Sequence, residues 1–232
     1  YQDNMFADLR ELVKIESVRD DDAATKEAPF GPNIAKCLDK ALEIGKRDGF
    51  QVENVDGYAG VIQYGNLEEA VGILGHFDPL AGEIKDGYIM GRGTCDDKGP
   101  AIAAYYAMKI LKDKGYKLKH NIQMILGTDE ENTSAGILYY KKVRKNPIMG
   151  IVPDAEFPCI YAEKGILDFS AEGKIDSCIK SMQSGTAFNV VLGKADVIVD
   201  KPLEKEYFEK FLLANGLSGE CHQDGEGAHY HI

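Results

Sequence analysis

The chain has 232 residues, with 27 Lys and Arg against 38 Asp and Glu, a formal net charge of −11, and 44% hydrophobic residues. That apolar share excludes a disordered chain and allows one or two domains with a real core. The acidic balance, with no block of Lys or Arg, argues against nucleic acid or an anionic membrane surface as the main partner. No apolar run approaches the roughly 20 residues of a membrane helix, and residues 1–25 carry charges instead of a signal-peptide core, so a cytoplasmic location is expected. The five cysteines, Cys37, Cys95, Cys159, Cys178 and Cys221, never fall in CxxC spacing, which indicates neither a disulfide framework nor a thiolate zinc site.

Met5, Phe6, Leu9, Leu12, Val13 and Ile15 recur near a 3.6-residue period and predict an amphipathic helix over 3–16. A second helix is expected from Asn33 to Arg47, closing at Gly49, with the polar, Pro- and Gly-punctuated DDDAATKEAPFGP as a loop before it. Short apolar runs follow, VIQY (61–64), AVGIL (70–74), YIM (88–90), IQMIL (122–126) and IMGIV (148–152), and these read as strands. Residues 100–114 form a helix marked by Pro100 in its first turn, lysines in its last and Gly115 beyond it, and another helix is expected over 135–145.

Strands alternating with helices imply an α/β fold, a mostly parallel mixed sheet with helices on both faces. After about Asp168 the texture changes. AFNVVLGKADVIVD reads as two strands joined through Leu-Gly-Lys, and PLEKEYFEKFLLANG as an amphipathic helix ending at Gly216. We therefore expect a catalytic domain over 1–168 and a smaller α+β unit over 169–232. The closing GEGAHYHI reads as a strand that stops without a turn or cap, so this second unit is expected to be incomplete.

Four apolar strands run straight into polar clusters: VGIL into GHFD (75–78), YIM into GRGTCDDKGP (91–100), IQMIL into GTDEE (127–131) and GIV into PDAE (153–156). In an open α/β sheet these lie at the carboxyl ends of the strands, the edge where such folds bind ligands. Taken singly, each cluster is more often a turn or a solvated loop. Together, one imidazole and several carboxylates converging on one edge call for cations to neutralise them, which points to a divalent metal site.

These strings, in this order, resemble the dinuclear zinc metallopeptidases that include acetylornithine deacetylase, succinyl-diaminopimelate desuccinylase, carboxypeptidase G and carnosinase. PDAEFP followed by YAEKG and later SGTAFNVV is most similar to the bacterial branch of Xaa-His or β-Ala-Xaa dipeptidases. The resemblance implies a catalytic domain with an inserted lid, and hydrolysis of a small dipeptide through two divalent cations, zinc first, with manganese or cobalt as alternatives. No nucleic acid or membrane partner is implied, and the assembly would be a monomer or homodimer.

Residue by residue, it implies that His76 ligates one metal while Asp78 orients its imidazole, and that Asp96 bridges both metals across a cis Asp96–Asp97 peptide. Gly99 would permit close packing where the next helix begins. Glu130 would be the general base and acid that activates the attacking water and later protonates the leaving amine. Glu131 would ligate the second metal and Asp154 the first. Asn189 would bind substrate.

The pattern also departs from the family. Asp78 runs directly into Pro79-Leu80, where the family has a turn and a longer loop, and no histidine here sits in the context of the second metal's last ligand. A full set is implied for one metal (His76, Asp96, Asp154) and a partial one for the other (Asp96, Glu131), so weak binding is expected at the second position. His229 and His231 read as exposed surface on the last strand. Two other readings share these residues: an N-acyl-amino-acid deacylase or desuccinylase with the same metal site, and a non-catalytic metal-binding homologue.

Overall fold

The structure, a computed structural model, describes all residues except 78–81, 86, 87, 92, 157, 166, 168, 170, 175, 186–191, 225 and 226, with backbone alone at 82–85 and 224. It divides into two compact units, Tyr1–Tyr161 and Ala162–Ile232, so residues 162–168 cluster with the second unit.

The first unit runs α1 (Gln2–Val13), α2 (Pro32–Arg47), β1 (Gln51–Val55), β2 (Ala59–Tyr64), β3 (Ala70–His76), β4 (Gly82–Lys85), β5 (Tyr88–Gly91), α3 (Lys98–Asp113), β6 (Asn121–Gly127), α4 (Ala135–Val143) and β7 (Met149–Ile151). Pro32 opens α2 and Gly49, in left-handed backbone at φ 75°, follows its end, the asymmetry expected of helix termini. β1 and β2 join at Asp56-Gly57, both with positive φ, the turn chemistry that suits a tight hairpin. β1 escapes a periodicity reading because it is a polar, mostly exposed strand at the sheet edge.

The sheet order is β1-β2-β6-β3-β7. Its hairpin half pairs antiparallel, β1 with β2 and β2 with β6, whereas β6, β3 and β7 run parallel. The expected mixed sheet is therefore parallel in the half that carries the polar clusters.

Alternation along the strands covers both faces. Ile62, Met124 and Leu126 pack with Leu9, Leu12, Leu38, Ala41, Ile102 and Tyr105 from α1, α2 and α3. Val61 and Ile125 point the other way, to Tyr140 and Ile137 of α4. Burying these side chains, each worth about 1.5–3 kcal/mol, holds the helices to the sheet.

The second unit contains β8 (Ile179–Ser184), β9 (Ala195–Val199), α5 (Lys205–Asn215), β10 (Glu220–Asp224) and β11 (Gly227–His231). Its sheet, ordered β10-β11-β9-β8, is antiparallel throughout. Phe208 and Leu212 of α5 cover one face against Val199, Ala228 and Tyr230. The closing strand is paired on both sides, by β10 and β9, so its backbone groups are satisfied within the unit. Of the two strands expected around Leu-Gly-Lys, β9 is the second, and the first falls on 186–191, outside the described residues. Among the described residues no helix is long and apolar enough to cross a membrane.

Candidate metal centre

The site begins with strand register. In the parallel half of the sheet, His76 at the end of β3 pairs with Gly127 at the end of β6, and Ile73 pairs with Ile151 of β7. Three residues beyond Gly127 lies Glu130. Three residues beyond Ile151 lies Asp154, level with His76, which is three beyond Ile73. Parallel pairing thus delivers three of the four expected segments to one edge. The YIM strand, β5, expected in the same sheet, instead pairs antiparallel with β4 in a separate two-stranded sheet, so the segment with Asp96 does not follow a strand of the main sheet.

The His76 side chain is only 3% exposed and is surrounded by carboxylates: its Nε2 lies 3.0 Å from Asp96 Oδ1, 3.6 Å from Asp154 Oδ2 and 3.8 Å from Glu130 Oε2. Around His76 two groups of donor atoms come within metal-ligating reach, His76 with Asp96 and Asp154, and His76 with Glu130 and Glu131, and a third, Asp196 with His229 and His231, lies in the second unit. The structure thus brings together His76, Asp96, Glu130, Glu131 and Asp154. Asp78 and Asn189 lie outside the described residues.

The segment between β5 and α3 is anchored from below. The Asp96–Asp97 peptide is cis. Lys98 is fully buried and its Nζ donates to the carbonyls of Leu12 and Ile15, 3.2 Å each, placing a cation at the C-terminus of α1, where the helix dipole favours it. At Gly99 any side chain would meet backbone, because a Cβ there would stand 2.0 Å from the Thr94 carbonyl oxygen.

Asp97, also fully buried, accepts the backbone N–H of His76 on Oδ2 at 3.3 Å. Burial above all pushes its carboxyl up to about 7; the neighbouring Asp154 and Asp96 add to this, while His76 opposes it. The motif reading assigned Asp97 no task, since spacing does not reveal which of two adjacent aspartates turns inward.

Asp129 was likewise unassigned. Its side chain is wholly buried, and Oδ1 receives Arg19 Nη1 at 2.6 Å. Oδ2 accepts the Thr133 hydroxyl and, at 3.3 Å, the Ala135 N–H. The preceding Thr128 donates its hydroxyl to the Tyr58 carbonyl at 2.6 Å, tying the end of β6 to the β1–β2 turn.

In the second unit, His229 and His231 are part-exposed, as their alternation on a strand suggests, yet both approach Asp196: His231 pairs with it closely through Nδ1, and His229 Nε2 lies 3.7 Å from Oδ1. β11 pairs His231 with Asp196 directly, which explains the convergence.

The model of peptidase family M20/M25/M40 matches residues 66–205. A protein of Staphylococcus epidermidis (strain ATCC 12228 / FDA PCI 1200), provisionally named a dipeptidase, is 40% identical over 247 residues, covering 97% of this chain and 53% of that protein. YtjP of Bacillus subtilis (strain 168), also provisionally named a dipeptidase, is 36% identical over 228 residues, covering 90% of this chain and 49% of that protein. The chain thus spans about half the length of these curated relatives. Among solved structures, human carnosine dipeptidase 1 is similar at TM-score 0.51 and 21% identity, covering 66% of this chain and 39% of that one. The M20 family metallo-carboxypeptidase Sso-CP2 from Sulfolobus solfataricus is similar at TM-score 0.50 and 20% identity, covering 65% of this chain and 37% of that one. At such identities these two speak for the fold alone. The matched segment takes in every strand end that converges on His76, and the chain belongs to peptidase family M20/M25/M40.

Proposed function

We propose that the protein is a metal-dependent dipeptidase that attacks the peptide bond with an activated water. The observation that carries this reading is the convergence of a buried imidazole, His76, with Asp154 and Glu130 from beyond the carboxyl ends of parallel strands and with Asp96 from the segment between β5 and α3.

The donor set fits divalent cations. Imidazole nitrogen and carboxylate oxygen, with no thiolate, suit zinc, and manganese or cobalt as well, and the three donors His76, Asp96 and Asp154 leave a position open for chemistry on their ion. Two such ions, when bound, would acidify water and polarise the scissile carbonyl. His76, Asp96 and Asp154 would hold one ion, and Asp96 and Glu131 the other. Glu130 lies beside them, and we assign it the proton traffic: it takes the proton of the attacking water and returns it to the leaving amine, work that needs a carboxylate not used up in ligation. Asp78, to orient the His76 ring, and Asn189, to bind substrate, are assigned on the motif alone.

The test is hydrolysis by the protein as its gene encodes it, loaded in turn with zinc, manganese or cobalt, against unblocked dipeptides and N-acyl amino acids. Release of both amino acids from dipeptides, abolished by chelation and restored by added metal, is the expected result. Cleavage confined to the N-acyl amino acids would assign a deacylase instead. Metal binding without turnover of either would overturn the catalytic reading.

A further inference from the structure

We propose that Arg19 and Asp129 form a positioning couple that sets the placement of Glu130 against His76. The inference rests on the reading of Glu130 as the proton-handling carboxylate.

Asp129 immediately precedes Glu130, yet the two side chains have opposite fates. Glu130 is half exposed beside His76, whereas the Asp129 side chain is wholly buried. Burying a carboxylate is costly unless partners satisfy it, and Asp129 has them on both oxygens. Oδ2 takes the Thr133 hydroxyl and the Ala135 N–H, while the Asp129 carbonyl takes the Ser134 N–H at 2.7 Å. These bonds close the segment 129–135 onto itself, with Ser134 in left-handed backbone at φ 53° just before α4. Glu130 and Glu131 ride on that closed turn. Moving the Asp129 carboxylate therefore moves both glutamates.

What fixes the carboxylate is Arg19, 110 residues away in the chain. Its Nη1 donates to Asp129 Oδ1 at 2.6 Å, its Nε donates to Asp21 Oδ1 at 2.8 Å, and its guanidinium lies over the Phe30 ring, 5.4 Å from the centroid. A guanidinium held at two polar atoms and an aromatic face is a rigid post, because a planar fork loses little further freedom on binding. The loop between α1 and α2 thereby reaches the edge where the chemistry sits. A neutral side chain at 129 would not serve equally: an asparagine that keeps its oxygen toward Thr133 and Ala135 turns its NH2 toward the guanidinium, donor against donor.

The experiment compares Arg19→Gln, Arg19→Lys and Asp129→Asn with the wild-type protein, measuring kcat and KM for a cleaved dipeptide, metal content, and amide hydrogen exchange at Ser134 and Ala135. Arg19→Gln should lower kcat by about 10- to 100-fold with KM within about threefold and metal content kept, the pattern of a displaced reacting group. Exchange at Ser134 and Ala135 should quicken, and Arg19→Lys should recover part of both. Arg19 is part-exposed, so its variants test the couple even if Asp129→Asn fails to fold. Unchanged kcat and exchange in Arg19→Gln would overturn the proposal, as would a loss seen in KM alone or a loss that follows metal content. If the wild-type protein cleaves no dipeptide, the functional reading fails by itself, and the exchange comparison alone then decides the couple.

Discussion

His76 and Gly127 face each other at the ends of neighbouring parallel strands, β3 and β6. The chain continues past Gly127 toward the imidazole, and Glu130 arrives 3.8 Å from Nε2. The site is thus a property of register. A slip by one residue would turn His76 to the other face of the sheet and dissolve the cluster.

In the proposed assignment Asp96 serves both ions, whereas Asp154 and Glu131 serve one each. Asp96→Ala should therefore abolish tight binding at one position and weaken the other, while Asp154→Ala and Glu131→Ala should each remove about one ion. Elemental analysis of the dialysed variants reads this out. Equal metal content in all three variants and the wild type would sink the ligand assignment.

Glu130 is assigned to proton transfer and not to ligation. Glu130→Gln should reduce kcat by about 10²- to 10⁴-fold, the contribution expected of a general base, with metal content unchanged. Steady-state kinetics alongside metal analysis checks both halves of the statement. Metal loss that parallels the loss of activity would make Glu130 a ligand.

The segment beneath Asp96 tolerates no added side chain at Gly99, where a Cβ would be 2.0 Å from the Thr94 carbonyl oxygen. Gly99→Ala has to displace backbone, at a cost of about 1–3 kcal/mol, and should shift Asp96 with it. Urea denaturation should show the lower stability, and metal affinity should fall although no ligand has been changed. Stability and affinity equal to the wild type would refute the close packing.

A second buried network ties α1, α2 and α3 together. Arg47 donates to both oxygens of Asp8 at 2.7 and 2.8 Å and to Asp48, while Tyr106 donates to Asp8 and Tyr105 to Asp48. Burial alone would raise the Asp48 carboxyl, but the hydrogen bonds from Arg47 and Tyr105 and the nearby Lys109 outweigh it and hold the group below its ordinary value. A carboxyl lowered by folding adds stability at pH values above its unfolded pKa of about 3.9, and that stability is lost as pH falls through the lower folded value. The denaturation midpoint should therefore drop steeply below about pH 4. Arg47→Met should cost about 1–3 kcal/mol at neutral pH, at the modest end for a broken buried pair because Arg47 is half exposed, and should flatten the acid slope. A slope identical in wild type and variant would show that Arg47 does not lower Asp48.

The helices α1, α2, α3 and α5, the buried strands β3 and β6, and the polar clusters at their ends were legible in the sequence, because one-sided burial leaves a period and each cluster is local in the chain. The edge strands β1, β8 and β10 were not, since exposed polar strands leave no alternation to read. Nor did local pattern distinguish Asp97 from Asp96 or Asp129 from Glu130, where one residue of each adjacent pair is buried and the other faces the site. Which carboxylate turns inward depends on what waits there, and the partners come from far along the chain: His76 for Asp97, Arg19 for Asp129. The chain order of residues set the chemistry available at the sheet edge. Tertiary pairing decided its arrangement, because the free energy of a buried charge is settled by its neighbours in space, wherever the sequence keeps them.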